Sequence, residues 1–283
     1  QGLDGIINLT REQMENMDTQ YEEILCTSND NYIKETQAIF KLLLDKGLAY
    51  KAKGVQDYCP KCETVLAREQ VKNGNCERHD IPIEKKELKQ WYFKITDYKD
   101  RLIKNLDTIN YPEKTKKMQR AWLENLHDWC VSRQRKWGCS IPIENEEDTL
   151  DTFVDSSFYY IVYQLWKGLV PKQVDLYIGG SEHACMHLIY ARFICMVMYD
   201  AGLIDFEEPF KKVIHQGMIL KDGEKMSKSK GNTISPDDYD SGHLRFYLMF
   251  IGHYFDGGSF NDDNFKGIPR FVNTMKTWLL KSG

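Results

Sequence analysis

The 283-residue sequence has no stretch approaching the roughly 20 apolar residues that a membrane-spanning helix needs, and no secretory signal pattern at its N-terminus. It has no internal repeat and no low-complexity linker. Excess charge is also scarce: 38 Lys and Arg stand against 42 Asp and Glu, a net charge of −4. No global basic field therefore draws the chain to nucleic acid. Two local clusters, Lys114–Lys116–Lys117–Arg120 and Arg133–Arg135–Lys136, remain able to meet phosphates or simply to solvate a helix face. The eight cysteines come without secretory features, so they read as thiols or metal ligands and not as a disulfide framework. The expectation is a cytoplasmic protein with no membrane partner.

What is present suits a packed core: 42% hydrophobic residues, six of them Trp, over a length that allows roughly two domains. Apolar residues at helical spacing predict a helix over about 31–46, stopped by Gly47. "QWYFKI" reads as a strand, and 94–106 and 111–125 as helices, the second with Pro112 in its first turn. From Asp148 the texture becomes α/β. "VDLYIGG" reads as a short buried strand, residues 181–202 as a long amphipathic helix, and "FKKVIHQGMIL" as another strand. Asp222-Gly223 predicts a tight turn, and Ser235-Pro236-Asp237-Asp238 a helix start. Strand–glycine–helix–strand in this order predicts a parallel, doubly wound sheet.

The most specific local pattern is Cys59-x-x-Cys62 followed by Cys76-x-x-His79. Two close ligand pairs on separate turns suit one tetrahedral zinc, and four protein ligands close the site, which makes it structural. His183 and His187 share a helix face. With no glutamate between them and no third ligand nearby, they read as substrate-facing or buried histidines. Gly179-Gly180 before Glu182 suits a nucleotide ribose or phosphate at the carboxyl edge of a sheet. Lys225 and Lys228 flank Met226-Ser227 on a loop after a strand. Lysines so placed can close over a polyphosphate and follow its charge during reaction.

"KMSKSKGN" resembles the second signature of class I aminoacyl-tRNA synthetases, and the resemblance continues through most of the chain. "DWCVSRQRKWGCSIPI" is similar to a segment shared by the leucyl, isoleucyl and valyl enzymes. "DTLDTFVDSSFYY", "DLYIGGSEHACMHLIYARF", "HQGMIL", "RFYLMF", "YCPKCETVLAREQV" and "KTKKMQRAW" resemble the leucyl branch in particular. The resemblance covers roughly Tyr32 to Leu280. It implies ATP-dependent activation of leucine to leucyl-adenylate and transfer to tRNA(Leu), with Mg2+ on the phosphates. Lys225 and Lys228 then fall on the ATP phosphates as catalytic groups. Gly179, Gly180 and Glu182 fall at the ribose, and Gln216, Gly217, Met218 and Ile219 beside the adenine. Phe153, Ser156, Tyr159, His183 and His187 fall at the leucine pocket and the neighbouring tRNA-end site, with Arg133, Arg135 and Trp137 beside the incoming tRNA end.

The sequence departs from that family in four ways. The first signature, His-x-Gly-His, is absent, and "QGLDGIINLTREQMENMDTQ" contains no histidine. Only Leu123 to His127 separate "MQRAW" from "DW", where the family inserts an editing domain. The leucine-specific insertion is reduced to the turn Lys221 to Glu224. The chain stops at Gly283, where the stem-contact helices begin. The expected fold is therefore mainly the second half of a Rossmann-like α/β catalytic domain, with a small zinc module and the start of a helical bundle. The expected segments are a helical lead-in (1–50), the zinc module (51–95), an insertion remnant without an editing domain (96–126), the second catalytic half with the lysine loop (127–235) and the start of the stem-contact domain (236–283). A non-editing ligase present as a partial or split chain, its N-terminal catalytic half either on a second, partner chain, lost or left out of this sequence, is the leading expectation. A synthetase-like subunit that binds nucleotide or tRNA without catalysis is the alternative.

Overall fold

The computed structural model describes residues 2–66, 70–227 and 231–282. They form two compact units, 25–214 and 1–24 together with 215–283.

The larger unit opens with the helix Asp30–Asp45. The Asn29 side chain caps it by accepting from the Tyr32 amide at 2.8 Å, and Gly47, at φ +70°, ends it. Its buried Tyr32, Thr36, Ile39, Phe40 and Leu43 keep the 3.6 period and face one core. The chain then makes a long antiparallel hairpin, Ala49–Cys59 against Glu84–Phe93, in register from Ala49↔Phe93 to Tyr58↔Glu84. The sequence shows only the second strand's end, "QWYFKI", because only the base of the hairpin joins the main core: Trp91 and Phe93 pack there while Val55 is 65% exposed. Thr64–Val65 and Trp129–Cys130 complete an antiparallel sheet.

The helices Lys99–Asn105 and Glu113–Glu124 form where expected, with Pro112 immediately before the second. The segment 181–202 differs. A 3-10 turn covers Ser181–His183, the backbone breaks at Met186 (φ −118°, ψ −101°), and the α-helix runs only over His187–Asp200. Nor is it amphipathic: every residue from His187 to Met198 is buried. A helix apolar all round has to be enclosed on all sides, and here it is. That helix is the crossover between the parallel strands Tyr177–Ile178 and Val213–Ile214. Single parallel bridges Asn110↔Lys212 and Val174↔Phe210 flank them. Among the described residues, this α/β part is narrower than the expected doubly wound sheet.

In the other unit, Ile219–Lys221 is the central strand, antiparallel to Glu224–Lys225 and parallel to Gly258–Phe260. The expected strand through "FKKVIHQGMIL" is thus two short strands, one in each unit. Asp222 and Gly223, at φ +51° and +82°, make the expected turn. The expected helix start at Ser235 yields only a 3-10 turn, Pro236–Asp238. The α-helix begins at Ser241, behind Asp240, whose carboxylate accepts from the His243 amide at 2.9 Å. Asp237 is engaged elsewhere: it accepts from Gln13 and Asn16 of the helix Leu3–Asn16, at 2.8 and 3.4 Å. Leu244, Tyr247, Phe260 and Ile268 form this unit's core.

Candidate functional site

Four ligand atoms converge at the far end of the long hairpin. Cys59 ends the first strand, and the Cys62 amide donates to its sulfur at 3.3 Å. Cys76 ends the small hairpin Val71–Lys72/Asn75–Cys76, turned by Asn73 and Gly74 in left-handed conformations. Cys59, Cys62, Cys76 and His79 bring all their ligand atoms within 4.8 Å of one another. A tetrahedral ion with metal–sulfur bonds of about 2.3 Å sets sulfurs about 3.8 Å apart. Cys62 Sγ and Cys76 Sγ stand at 3.8 Å, and His79 Nδ1 lies 3.3 and 3.8 Å from the sulfurs of Cys62 and Cys59. Burial opposes ionisation of Cys59, yet hydrogen bonds from His79, the Cys62 amide and the other thiols hold it down at about 6. The donor set fits a metal and fills all four positions.

The expected substrate residues in the larger unit assemble into a hydrogen-bonded chain. His187 Nδ1 is 3.2 Å from Ser156 Oγ, and its Nε2 is 2.6 Å from the Tyr177 hydroxyl, itself 2.7 Å from the Tyr159 hydroxyl. Ser156 donates to the Phe153 carbonyl at 3.3 Å, so its oxygen is left to accept from His187 Nδ1–H. Nε2 then accepts from Tyr177. Burial, and secondarily His183, depress the His187 imidazole to about 4, so it is neutral at pH 7. Phe153 packs edge-on to His183, ring centroids 6.3 Å apart, and against Tyr190 at 5.8 Å. Tyr177 was not among the residues singled out from sequence. Its place at the carboxyl end of the strand before Gly179-Gly180 was the available signal.

Beside this chain lies a cleft of about 520 Å³, lined by Ser156, Tyr159 and Tyr163 together with Lys136, Trp137 and Asp155. One expected tRNA-end residue, Trp137, thus shares a cleft with two expected substrate residues. Trp137 is 60% exposed. Arg133 is placed differently. It is buried, its guanidinium donating to Asp151 at 2.5 Å and to the carbonyls of Cys130 and Ser132. It is an internal tie of this unit, with its charge already neutralised. Arg135 lines a separate cavity of about 320 Å³ with Arg78, Gln70 and Glu77, next to Cys62 and Cys76. Of the other expected phosphate contacts, Lys116 pairs with Glu113 at 2.9 Å and Arg120 with Asp107 at 2.7 Å.

Gly179 and Gly180 follow the strand Tyr177–Ile178 directly. A Cβ on Gly180 would fall 2.2 Å from the Glu182 carboxylate, so the bare backbone lets Glu182 fold back over the turn. In the other unit, Gly217 crosses the 256–258 backbone at closest range. Its amide donates to the Tyr254 carbonyl at 2.8 Å, and a Cβ there would meet the Gly257 nitrogen at 1.9 Å. Gln216, Met218 and Ile219 are held around that crossing, with Met218 accepting from the Gly258 amide at 3.2 Å. Lys225 is exposed at the end of the Glu224–Lys225 strand. Asn232 clamps the loop that follows. Its Oδ1 accepts from the Ser227 amide at 2.8 Å, and its Nδ2 donates to the Lys225 carbonyl at 3.2 Å. Lys228, between these anchors, lies outside the described residues.

An α/β domain with a glycine turn at the carboxyl edge of parallel strands, a separate lysine-bearing loop and a four-ligand cysteine–histidine module is the architecture of a class I synthetase catalytic domain. The sequence matches the model of the tRNA synthetases class I (I, L, M and V) over residues 6–175 and 143–256. The chain belongs to that family. It is 28% identical to the leucine–tRNA ligases of Clostridium botulinum and Clostridium kluyveri, covering 94% and 95% of this chain. In each case it spans only 65% of the relative. The C. botulinum alignment runs over 530 positions, far more than this chain's 283 residues, so much of the relative's aligned stretch has no counterpart here. Among solved structures, the chain superimposes on the Agrobacterium radiobacter K84 agnB2 LeuRS–tRNA–LeuAMS complex with a TM-score of 0.86 at 21% identity, over 95% of this chain and 62% of that one. It superimposes on Mycobacterium tuberculosis methionyl-tRNA synthetase with methionyl-adenylate at a TM-score of 0.73 and 18% identity, over 92% and 53% of the two chains.

Proposed function

We propose that this chain carries part of a leucine–tRNA ligase, one that activates leucine with ATP to leucyl-adenylate, passes it to tRNA(Leu) and does not proofread. The observation that carries the reading is the cleft in which Trp137 meets Ser156 and Tyr159, beside the Ser156–His187–Tyr177–Tyr159 chain. An amino-acid pocket and an acceptor-end site must adjoin for transfer, since the attacking hydroxyl has to reach the activated carboxyl.

On this reading neutral His187 holds Tyr177 and Ser156 in place at the pocket without placing a charge beside an apolar side chain. Gly179, Gly180 and Glu182 receive the ribose, and Gln216 to Ile219 the adenine. Lys225 and Lys228 stabilise charge growing on the leaving pyrophosphate, with Asn232 fixing the ends of their loop. Mg2+, when bound, would share the neutralisation of the phosphates. Cys59, Cys62, Cys76 and His79 hold a structural zinc. Residues 51–95 are then the metal module, 96–126 an insertion remnant, 127–235 the second catalytic half and 236–283 the start of the stem-contact domain. The direct run from the helix Glu113–Glu124 into the strand Trp129–Cys130 supports the absence of editing. The reading includes a cytoplasmic location; among the described residues no helix is long and apolar enough to cross a membrane.

The test is leucine-dependent ATP–pyrophosphate exchange, run with and without a polypeptide carrying His-x-Gly-His. Exchange stimulated by leucine over other amino acids supports the ligase. Nucleotide or tRNA binding without exchange under either condition would favour a non-catalytic, synthetase-like binding subunit.

A further inference from the structure

Behind the Gly179–His183 turn lies a buried polar network that the proposed chemistry does not use. Arg192, fully buried, donates to both carboxylate oxygens of Glu208 at 2.7 and 2.8 Å, to the Leu102 carbonyl at 2.8 Å and to Gln119 Oε1 at 2.9 Å. Gln119, also fully buried, turns its Nε2 to the Ala184 carbonyl at 2.8 Å. Arginine has no acceptor, so its neighbour fixes which way the Gln119 amide points: oxygen to Arg192, and therefore N–H to Ala184. Ala184 sits between the 3-10 turn and the break at Met186. Around it three backbone bonds of the turn are long, His183 amide to Gly180 carbonyl at 3.3 Å, Ala184 to Ser181 at 3.2 Å and Met186 to His183 at 3.3 Å. The Gln119 bond is shorter than any of these and ties the turn to the charge-neutralised Arg192–Glu208 pair.

We propose that Gln119 is a positioning residue: through Ala184 it holds the 180–186 turn in the conformation that presents Glu182 and His183 to the adenylate. The functional half of this statement rests on the nucleotide reading above; the structural half does not. Gln119→Glu separates the roles. A carboxylate can still pair with Arg192 but has no N–H for Ala184, and leaves two oxygens facing each other.

The experiment is hydrogen exchange of the 283-residue chain, read at residues 181–186, together with the dissociation constant of a non-hydrolysable leucyl-adenylate analogue. Loss of one buried bond predicts exchange in this segment about tenfold faster, with the helix 187–200 unchanged and analogue binding weakened several-fold. Gln119→Met, matched in volume, serves as a second variant and should show the same local exchange. Unchanged exchange at 181–186 in both variants overturns the proposal. Faster exchange in a chain whose wild type binds no analogue even beside the polypeptide carrying His-x-Gly-His upholds the tie and sinks the nucleotide reading.

Discussion

His187 Nε2 stands 2.6 Å from the Tyr177 hydroxyl, and the same ring's Nδ1 stands 3.2 Å from Ser156 Oγ. Burial, and after it the neighbouring His183, depress the imidazole to about 4.

This gives a pH dependence of stability. Because the unfolded chain takes up this proton first, the His187 contribution is fully present above about pH 6.5 and is lost as pH falls toward 4, amounting to at most about 3 kcal/mol. Asp155 runs the opposite way. Burial raises its carboxyl from 3.8 to about 7, so its contribution is present below about pH 4 and is lost as pH rises through 7. Melting curves from pH 4 to 8 should show His187→Gln losing the acid-side fall and Asp155→Asn losing the neutral-side fall. Identical slopes in wild type and both variants would contradict the assignment.

The metal module should hold about one zinc per chain, since one tetrahedral set uses all four ligands. Chelation or Cys59→Ser should lower the melting temperature and loosen residues 57–83. The base of the hairpin, packed through Trp91 and Phe93, should keep its exchange protection. Metal analysis and chelator titration give the answer; a metal-free preparation that melts like the loaded one would refute it.

Substitution in the lysine loop should act on rate. Lys225→Ala or Lys228→Ala should slow leucine activation by about 100-fold or more while leaving the KM for leucine nearly unchanged, as expected of a contact made to developing charge. Asn232→Ala removes both loop anchors and should give a smaller loss in the same direction. Equal losses in leucine binding and in rate would mark the loop as structural.

Proofreading should be absent. An apolar pocket separates substrates differing by one methylene by only about 1–3 kcal/mol, so close analogues of leucine should be charged at a measurable frequency. Preformed norvalyl-tRNA or isoleucyl-tRNA, incubated with the protein, should persist as long as in buffer. Rapid protein-dependent deacylation of either would overturn the reading.

The sequence by itself determined the elements whose signals are local. The 3.6-period face and Gly47 define the first long helix of the larger unit, because a cap and an apolar stripe need no distant partner. Ligand spacing placed Cys59, Cys62, Cys76 and His79 together, because each pair sits on its own turn. The Asp222-Gly223 turn was legible for the same reason.

Tertiary structure decided the rest. The strand Ala49–Cys59 carries little periodicity, and only its pairing with residues 84–93 makes it a strand. Ser235 to Asp238 have every local mark of a helix start, but Asp237 is taken by Gln13 and Asn16 from the far end of the sequence. The 181–202 segment breaks at Met186 where the buried 187–200 helix has to begin between strands. Arg133 looked like a phosphate contact until Asp151 neutralised it inside the fold. Tyr177 and Gln119 lie inside segments that resemble the family, yet nothing in those segments says what either side chain touches. Each gains its role from a partner distant in sequence, His187 for one and Arg192 with Ala184 for the other, and a hydrogen bond between distant residues leaves no periodic trace in the chain.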